Sequence, residues 1–135
     1  MPSNEKFEQQ NFILKDGESY EDCDFHSIDF SEFSLKNCLF VDCTFLQCNL
    51  ANIEPTSGSI RNCVFKNSNL IGINWCVLKN FSRPRFESCK LNYSVFQNLR
   101  LDNSVFIECS LVEVDFTGCD LSKSDFSHSN FAGAN

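Results

Sequence analysis

A large apolar residue returns at every fifth position of this chain, and that period decides what it can fold into. Counting from Phe25, the centres are Phe25, Phe30, Leu35, Phe40, Phe45, Leu50, Pro55, Ile60, Phe65, Leu70 and Trp75. One extra residue, Leu78, shifts the frame. The count then resumes as Phe81, Phe86, Leu91, Phe96, Leu101, Phe106, Leu111, Phe116, Leu121, Phe126 and Phe131. Of 22 centres only Pro55 is not large and apolar. A strict period of five matches neither the 3.6 of an α-helix nor the 2.0 of a flat strand, and a fixed repeat is the mark of a solenoid.

The position two before each centre is equally regular. Eight of the nine cysteines occupy it (Cys23, Cys38, Cys43, Cys48, Cys63, Cys89, Cys109 and Cys119), and Ser68, Ser94, Ser104, Ser124 and Ser129 share it. In extended chain, residues two apart share a face, so each unit points its centre and its small residue inward and the residue between them outward. A chain that bends every five residues with one face always inside winds into a coil. Stacked coils then pair as parallel strands and bury a continuous core.

The interruptions are few. Leu78 separates 11 units over 23–77 from 11 over 79–133, and a bulge is expected there. Pro55 lacks an N–H for a ladder between coils, and Pro55-Thr56-Ser57-Gly58 reads as a turn, which predicts a distorted corner or small loop. Phe33 and Leu99 are large residues in small slots, accommodated by compensating packing. Residues 1–22 hold no consensus unit apart from a degenerate one around Tyr20, and are expected to cap the first coil with an irregular strand from Phe7 to Leu14. Ala134-Asn135 begins a unit that stops before its centre, so the last coil is expected to present a strand edge for a homodimer or end-to-end stacking.

The nine cysteines read as reduced, structural thiols rather than a metal site or disulfide set. No C-x-x-C pair occurs, only His26 and His128 are available, and inward thiols recur at multiples of five because a small apolar side chain fits. Cys76, outside the slot, is expected to face outward and to be the thiol that reacts. No nucleophile elbow, glycine-rich phosphate loop or H-E-x-x-H motif is present, so neither catalysis nor a cofactor is expected. The N-terminus lacks the basic start and apolar stretch of a signal peptide, and no apolar run approaches a membrane span, so a cytoplasmic protein is expected.

With the interior committed to packing, function falls to the outward positions, where charge is segregated. Residues 1–60 carry a net charge of -8, residues 61–100 of +6 and residues 101–135 of -5. Arg61, Arg83 and Arg100 fall on one face in successive coils, with Arg85 and Lys66 on the next, a docking stripe for an acidic partner. The net charge of -7 argues against direct binding of nucleic acid and leaves a protein as the partner.

The units Cys119-Asp120-Leu121-Ser122-Lys123, Ser124-Asp125-Phe126-Ser127-His128 and Ser129-Asn130-Phe131-Ala132-Gly133 resemble the consensus of the pentapeptide-repeat family: small residue, Asp/Asn, Leu/Phe and two variable positions. The resemblance covers residues 23–133 and implies an all-β, right-handed quadrilateral β-helix with four units per coil, about 5.5 coils in all. The cysteine-rich units, the Phe centres and the single frame shift after eleven units are similar to those of the quinolone-resistance (Qnr) and microcin-immunity members. Those proteins bind bacterial type II topoisomerases with acidic rods that mimic duplex DNA. The resemblance therefore implies protection of DNA gyrase from a toxin or quinolone, with Asp102, Asp115, Asp120 and Asp125 facing the enzyme's DNA-binding saddle. A duplex as long as this rod, roughly 26 Å, carries about 15 phosphates, so a net -7 fits mimicry by one acidic face rather than by the full length. The alternative is a non-catalytic scaffold with no DNA-linked role.

Overall fold

The five-residue period becomes a coil because the backbone turns left-handed once per unit. In a computed structural model describing residues 2–135, the residue two positions after the centre has positive φ in 20 of the 22 units. Only Gly72, Gly118 and Gly133 among those are glycine; the rest are mostly Asn, Ser, Asp and Glu, from Ser27 (φ 55°) to His128 (φ 59°). Side chains with a short polar tip tolerate this region best. Its cost is offset because the left-handed residue donates its N–H to the next coil, as Ser27 does to the Leu46 carbonyl (2.9 Å) and Asn37 to that of Thr56 (3.0 Å).

Four such turns close one coil, so partners in the ladder lie 20 residues apart. The strands are three residues long: β1 Lys6–Glu8, β2 Ser19–Glu21, β3 Asp24–His26, β4 Leu39–Val41, β5 Thr44–Leu46, β6 Ser59–Arg61, β7 Val64–Lys66, β8 Asn80–Ser82, β9 Arg85–Glu87 and β10 Val105–Ile107. Face I is the parallel sheet β2-β4-β6-β8, continued by the bridge Arg100–Asp120. Face II is β1-β3-β5-β7-β9-β10, continued by Val105–Asp125. Single bridges join the other two: Asp29–Asn49–Asn69–Lys90–Ser110–Asn130 along face III and Asn74–Val95–Asp115 along face IV.

Inside, each face contributes one column of side chains. On face II the rings of Phe25, Phe45, Phe65, Phe86, Phe106 and Phe126 stack nearly parallel at centroid spacings of 4.8, 4.8, 5.2, 5.0 and 4.9 Å. On face IV Trp75, Phe96 and Phe116 stack at 5.6 and 5.2 Å. The small slot asks for more than small size. Its thiol or hydroxyl reaches back to the carbonyl of a centre in the preceding coil: Cys48 to Phe25 (3.3 Å), Cys89 to Phe65 (3.1 Å), Ser94 to Leu70 (3.1 Å), Ser124 to Leu101 (2.7 Å). Cysteine and serine alternate there because both are compact donors.

The bulge expected at the frame shift forms, with the N–H groups of Lys79 and Asn80 both on the Gly58 carbonyl, while other local expectations change. Pro55 makes no loop. It is buried at its centre position, the ladder passes on either side through Asn37 N–H to Thr56 and Ser57 N–H to Val77, and its carbonyl accepts from Gly58 (3.0 Å). The missing N–H costs one rung. Gly58 fits this tight unit because a Cβ there would meet the Cys38 carbonyl at 2.9 Å and that of Pro55 at 3.1 Å. At the frame shift, ladder spacing is 20 from Ser57 to Val77 and 21 from Ser59 to Asn80, across a 3-10 turn at Trp75–Val77; the surplus residue, Leu78, folds its side chain inward.

The N-terminal residues join the coil more closely than an irregular strand would. β1 lies on β3 with Phe7 over Phe25, 18 residues apart rather than 20, so the period hides it. Phe12 then folds over the top of the core and touches the rings of Phe7, Tyr20, Phe25, Phe30 and Phe33 at 5.3–6.0 Å. Phe33, large in a small slot, is half-buried against Phe12 and Phe30. At the other end Leu121 and Phe126 are half-buried and Phe131 is 45% exposed.

Phe106 stacks on both Phe86 and Phe126 and is fully buried. Phe106→Ala should cost about 3–5 kcal/mol and lower the melting temperature by several degrees or more. Phe131→Ala, with less to lose, should change it far less. Thermal denaturation followed by far-ultraviolet circular dichroism reads both, and equal shifts would contradict the stacked core.

Candidate protein-docking surface

Outward carboxylates arise where the repeat places Asp or Asn just before a centre, and the coil gives that side chain a task. Its oxygen accepts the backbone N–H two residues on: Asp29 from Ser31 (2.9 Å), Asn49 from Ala51 (3.2 Å), Asn69 from Ile71 (3.2 Å) and Asn130 from Ala132 (3.0 Å). This Asx turn steers the chain into its corner. Asp115, Asp120 and Asp125 do the same with Thr117 (2.9 Å), Ser122 (3.0 Å) and Ser127 (2.9 Å), and each also takes that residue's hydroxyl on the same oxygen, Oδ1. Gln97 holds the other oxygen of Asp115.

Asp115, Asp120 and Asp125 belong to one coil, on faces IV, I and II in turn. Asp102 lies one coil earlier on face I, beside Asn103. The four thus form a band wrapping three faces. Side-chain hydrogen bonds from Thr117, Ser122 and Ser127 hold the three turn-capping carboxyls below the ordinary value of 3.8. Arg100, paired across the ladder with Asp120, adds a smaller downward push there, as Arg85 does at Asp125.

The arginines divide differently from a single stripe. Arg61, Arg83 and Arg100 are exposed in successive coils of face I, but they stand after the centre, at the corner and before the centre respectively, which makes a diagonal. Arg83, at the corner toward face II, lines a groove of about 470 Å³ with Arg85, Asn62, Asn103, Pro84 and Val105. Arg85 pairs with Glu87 through Nε at 2.6 Å. Arg100 lies instead against Asp120.

Most of the thiols are poor nucleophiles here; Cys43 alone is shifted down, by its hydrogen bond with Cys63. Burial pushes Cys48 and Cys109 up to about 11 and Cys89 to about 12, and it also raises Cys63. Cys76 is only half-buried, but it does not stand free: its Sγ lies 3.3 Å from the Gln97 carbonyl, and partial burial raises it too. Cys119 is equally half-buried. Among the described residues no three His, Cys, Asp or Glu side chains are grouped to hold a metal ion, and no helix is long and apolar enough to cross a membrane.

A carboxyl held below its unfolded value stabilises the fold above that value, and the contribution is lost as pH falls through the folded one. The melting temperature should therefore hold from neutral pH down to the ordinary carboxyl range and drop below about 3.8. In the triple variant Asp115→Asn, Asp120→Asn, Asp125→Asn, the amide oxygen still caps each turn, as Asn130 does. It should keep its neutral-pH stability and lose part of the acid sensitivity; an unchanged acid profile would contradict the capping role.

Residues 76–135 match the family model described as a pentapeptide repeat region. No curated protein sequence matches the chain. Among solved structures it is similar to a trypsin-treated form of QnrB1, a plasmid-mediated fluoroquinolone resistance protein, at 18% identity and a TM-score of 0.42, over 98% of this chain and 71% of that one. It is similar also to HetL, a pentapeptide repeat protein involved in heterocyst differentiation regulation in the cyanobacterium Nostoc sp. strain PCC 7120, at 14% identity and a TM-score of 0.42, over 98% and 58%. A third is Rfr23 from the cyanobacterium Cyanothece 51142, at 10% identity and a TM-score of 0.41, over 98% and 82%. Residues 76–135 are thus a pentapeptide repeat region, and the same five-residue units, inward slots and left-handed corners continue back to Cys23.

Proposed function

We propose that this protein is a non-catalytic, cytoplasmic docking rod whose C-terminal coils present ordered carboxylates to the DNA-binding surface of a bacterial type II topoisomerase, protecting it from a toxin or quinolone. The observation that carries the reading is the band of Asp102, Asp115, Asp120 and Asp125. Three of its carboxyls are oriented by their own Asx turns, held ionised, and arranged on three adjoining faces of one coil. Fixed anions on a rigid ladder lose little entropy on meeting a basic saddle, whereas flexible side chains would lose more. The resemblance of the units to those of quinolone-resistance and microcin-immunity proteins supports gyrase as the enzyme. The mimicry is partial: Arg100 beside Asp120 breaks the acidic surface, so the contact is a patch.

Gyrase supercoiling assays with and without a fluoroquinolone, titrating this protein, test the reading. Wild type should restore supercoiling or reduce drug-induced cleavage, less so as salt rises, because exposed charge pairs are screened over about 8–10 Å at physiological ionic strength. Asp115→Lys/Asp120→Lys should lose the effect while keeping its β spectrum. A folded wild-type protein with no effect at any concentration would overturn the proposal.

A further inference from the structure

We propose that the groove at the corner between faces I and II, around Arg83, is a docking site for a short acidic segment of a partner protein, separate from the carboxylate band. Corner positions along this edge, one per coil, are Asp22, Asp42, Asn62, Arg83, Asn103 and Lys123, all left-handed. Arg83 departs from Asn62 and Asn103 on either side of it on two counts. It is a long side chain at φ 50°, and it precedes Pro84, where the ring normally pushes the previous residue into extended conformations. Backbone held in a sparsely populated region persists where the surroundings over-determine it, and such positions cluster at binding sites.

The surroundings here are stiff. Pro84 fills the small slot two before Phe86, is buried, and gives its carbonyl to the Val105 N–H at 3.1 Å. The floor of the groove is thus a proline pinned to the next coil. Arg83 and Arg85, the residues before and after it, both line the groove.

Charge points to an anion. Residues 61–100 hold a single acid, Glu87, and Arg85 engages it with Nε only. Among the described residues the ion pairs are Lys6–Glu8 and Arg85–Glu87, which leaves Arg61 and Arg83 unpaired. Asn62 and Asn103 stand one coil to either side of Arg83. The Nδ2 groups of Asn62 and Asn103 already donate to Asp42 (2.6 Å) and Asp102 (3.4 Å), so the guanidinium forks are the donors left for a ligand, and they suit carboxylate oxygens, which accept two N–H bonds side by side.

Length separates an acidic peptide from nucleic acid. The basic stretch spans about two coils, on the order of 10 Å of rod. Beyond it the chain carries net charges of -8 and -5. A duplex, with a charge every ~1.7 Å, would run off the basic waist into like charge on both sides. A segment with two or three acidic side chains would not.

The test is fluorescence anisotropy of a labelled octapeptide of alternating Asp and Glu, with the Asn/Gln version as control. Wild type should bind the acidic peptide and not the neutral one. The informative variant is Arg83→Asn, because it restores the residue type found at the same corner in the coils on either side. It should fold with an unchanged or higher melting temperature and weaken binding about tenfold, as loss of one charge-assisted hydrogen-bonded contact does. Lys36→Asn, on another face, should leave binding intact. Equal weakening by Lys36→Asn, retention by Arg83→Asn, a lowered melting temperature in Arg83→Asn, or tighter binding of duplex DNA than of the peptide would each overturn the proposal. Because the peptide assay contains no topoisomerase, its failure leaves the carboxylate band untouched, and failure of the gyrase assay leaves the groove untouched.

Discussion

The left-handed residue two positions past each centre is the constraint from which the rest of this molecule follows. It limits strands to three residues, turns the chain before the side-chain alternation can reverse, and returns the same face to the interior. An L-residue in that region costs on the order of 1 kcal/mol, and the chain meets that cost some twenty times with only three glycines at these corners. What sustains it is cooperativity between coils: 15 of the 20 left-handed corners give their N–H to a carbonyl of the coil stacked on them. The Asx turns at Asp29, Asn49, Asn69 and Asn130 serve the same end from the residue before the centre.

Once the corners fix the layer spacing, the choice of core residues follows. Coils stacked at strand spacing bring like rings face to face at about 5 Å, and a planar ring fills that layer without gaps. The carbonyls of the centres point between layers, and only a compact donor reaches them from the next coil, hence cysteine and serine. The thiols are therefore consumed by packing and weak hydrogen bonding, and burial keeps Cys48, Cys89 and Cys109 protonated.

Period, inward slots and the Phe25-to-Phe126 column were legible in the sequence because every unit repeats the same packing problem. Features that belong to single units were not. Phe7 stacks on Phe25 at a spacing of 18, which a count by fives passes over, and Phe12 finds five aromatic partners through a fold of the chain with no counterpart elsewhere. Pro55 looked like a break because its N–H is missing, yet it is buried at the centre position, its carbonyl accepts from Gly58, and Gly58 makes room. Cys76 looked outward from its register, whereas the 3-10 turn at Trp75–Val77 tucks its sulfur against Gln97. In the charged surface, the faces of Arg61, Arg83, Arg85, Arg100 and the four aspartates followed from counting. Their grouping did not, because the corner carries Arg83 away from Arg100 and toward Arg85.

Separation of inside from outside also explains how one small rod can carry opposite charges without conflict. The ladder and the rings fix position, so an outward substitution changes potential without moving backbone. Arg83 and the carboxylates of Asp120 and Asp125 lie two coils apart, about 10 Å, which is close to the screening length at physiological salt. Between them Arg100 and Asp102 sit on the same face and largely cancel. Arg85 still adds a little to the stabilisation of the Asp125 anion, well behind the Ser127 hydrogen bonds, so the two surfaces feel each other weakly. A partner carboxylate seated at Arg83 and Arg85 would blunt that cationic influence without loosening the turn that orients Asp125. The geometry therefore permits two partners, one basic and one acidic, to be read by the same rigid scaffold with little energetic coupling between them.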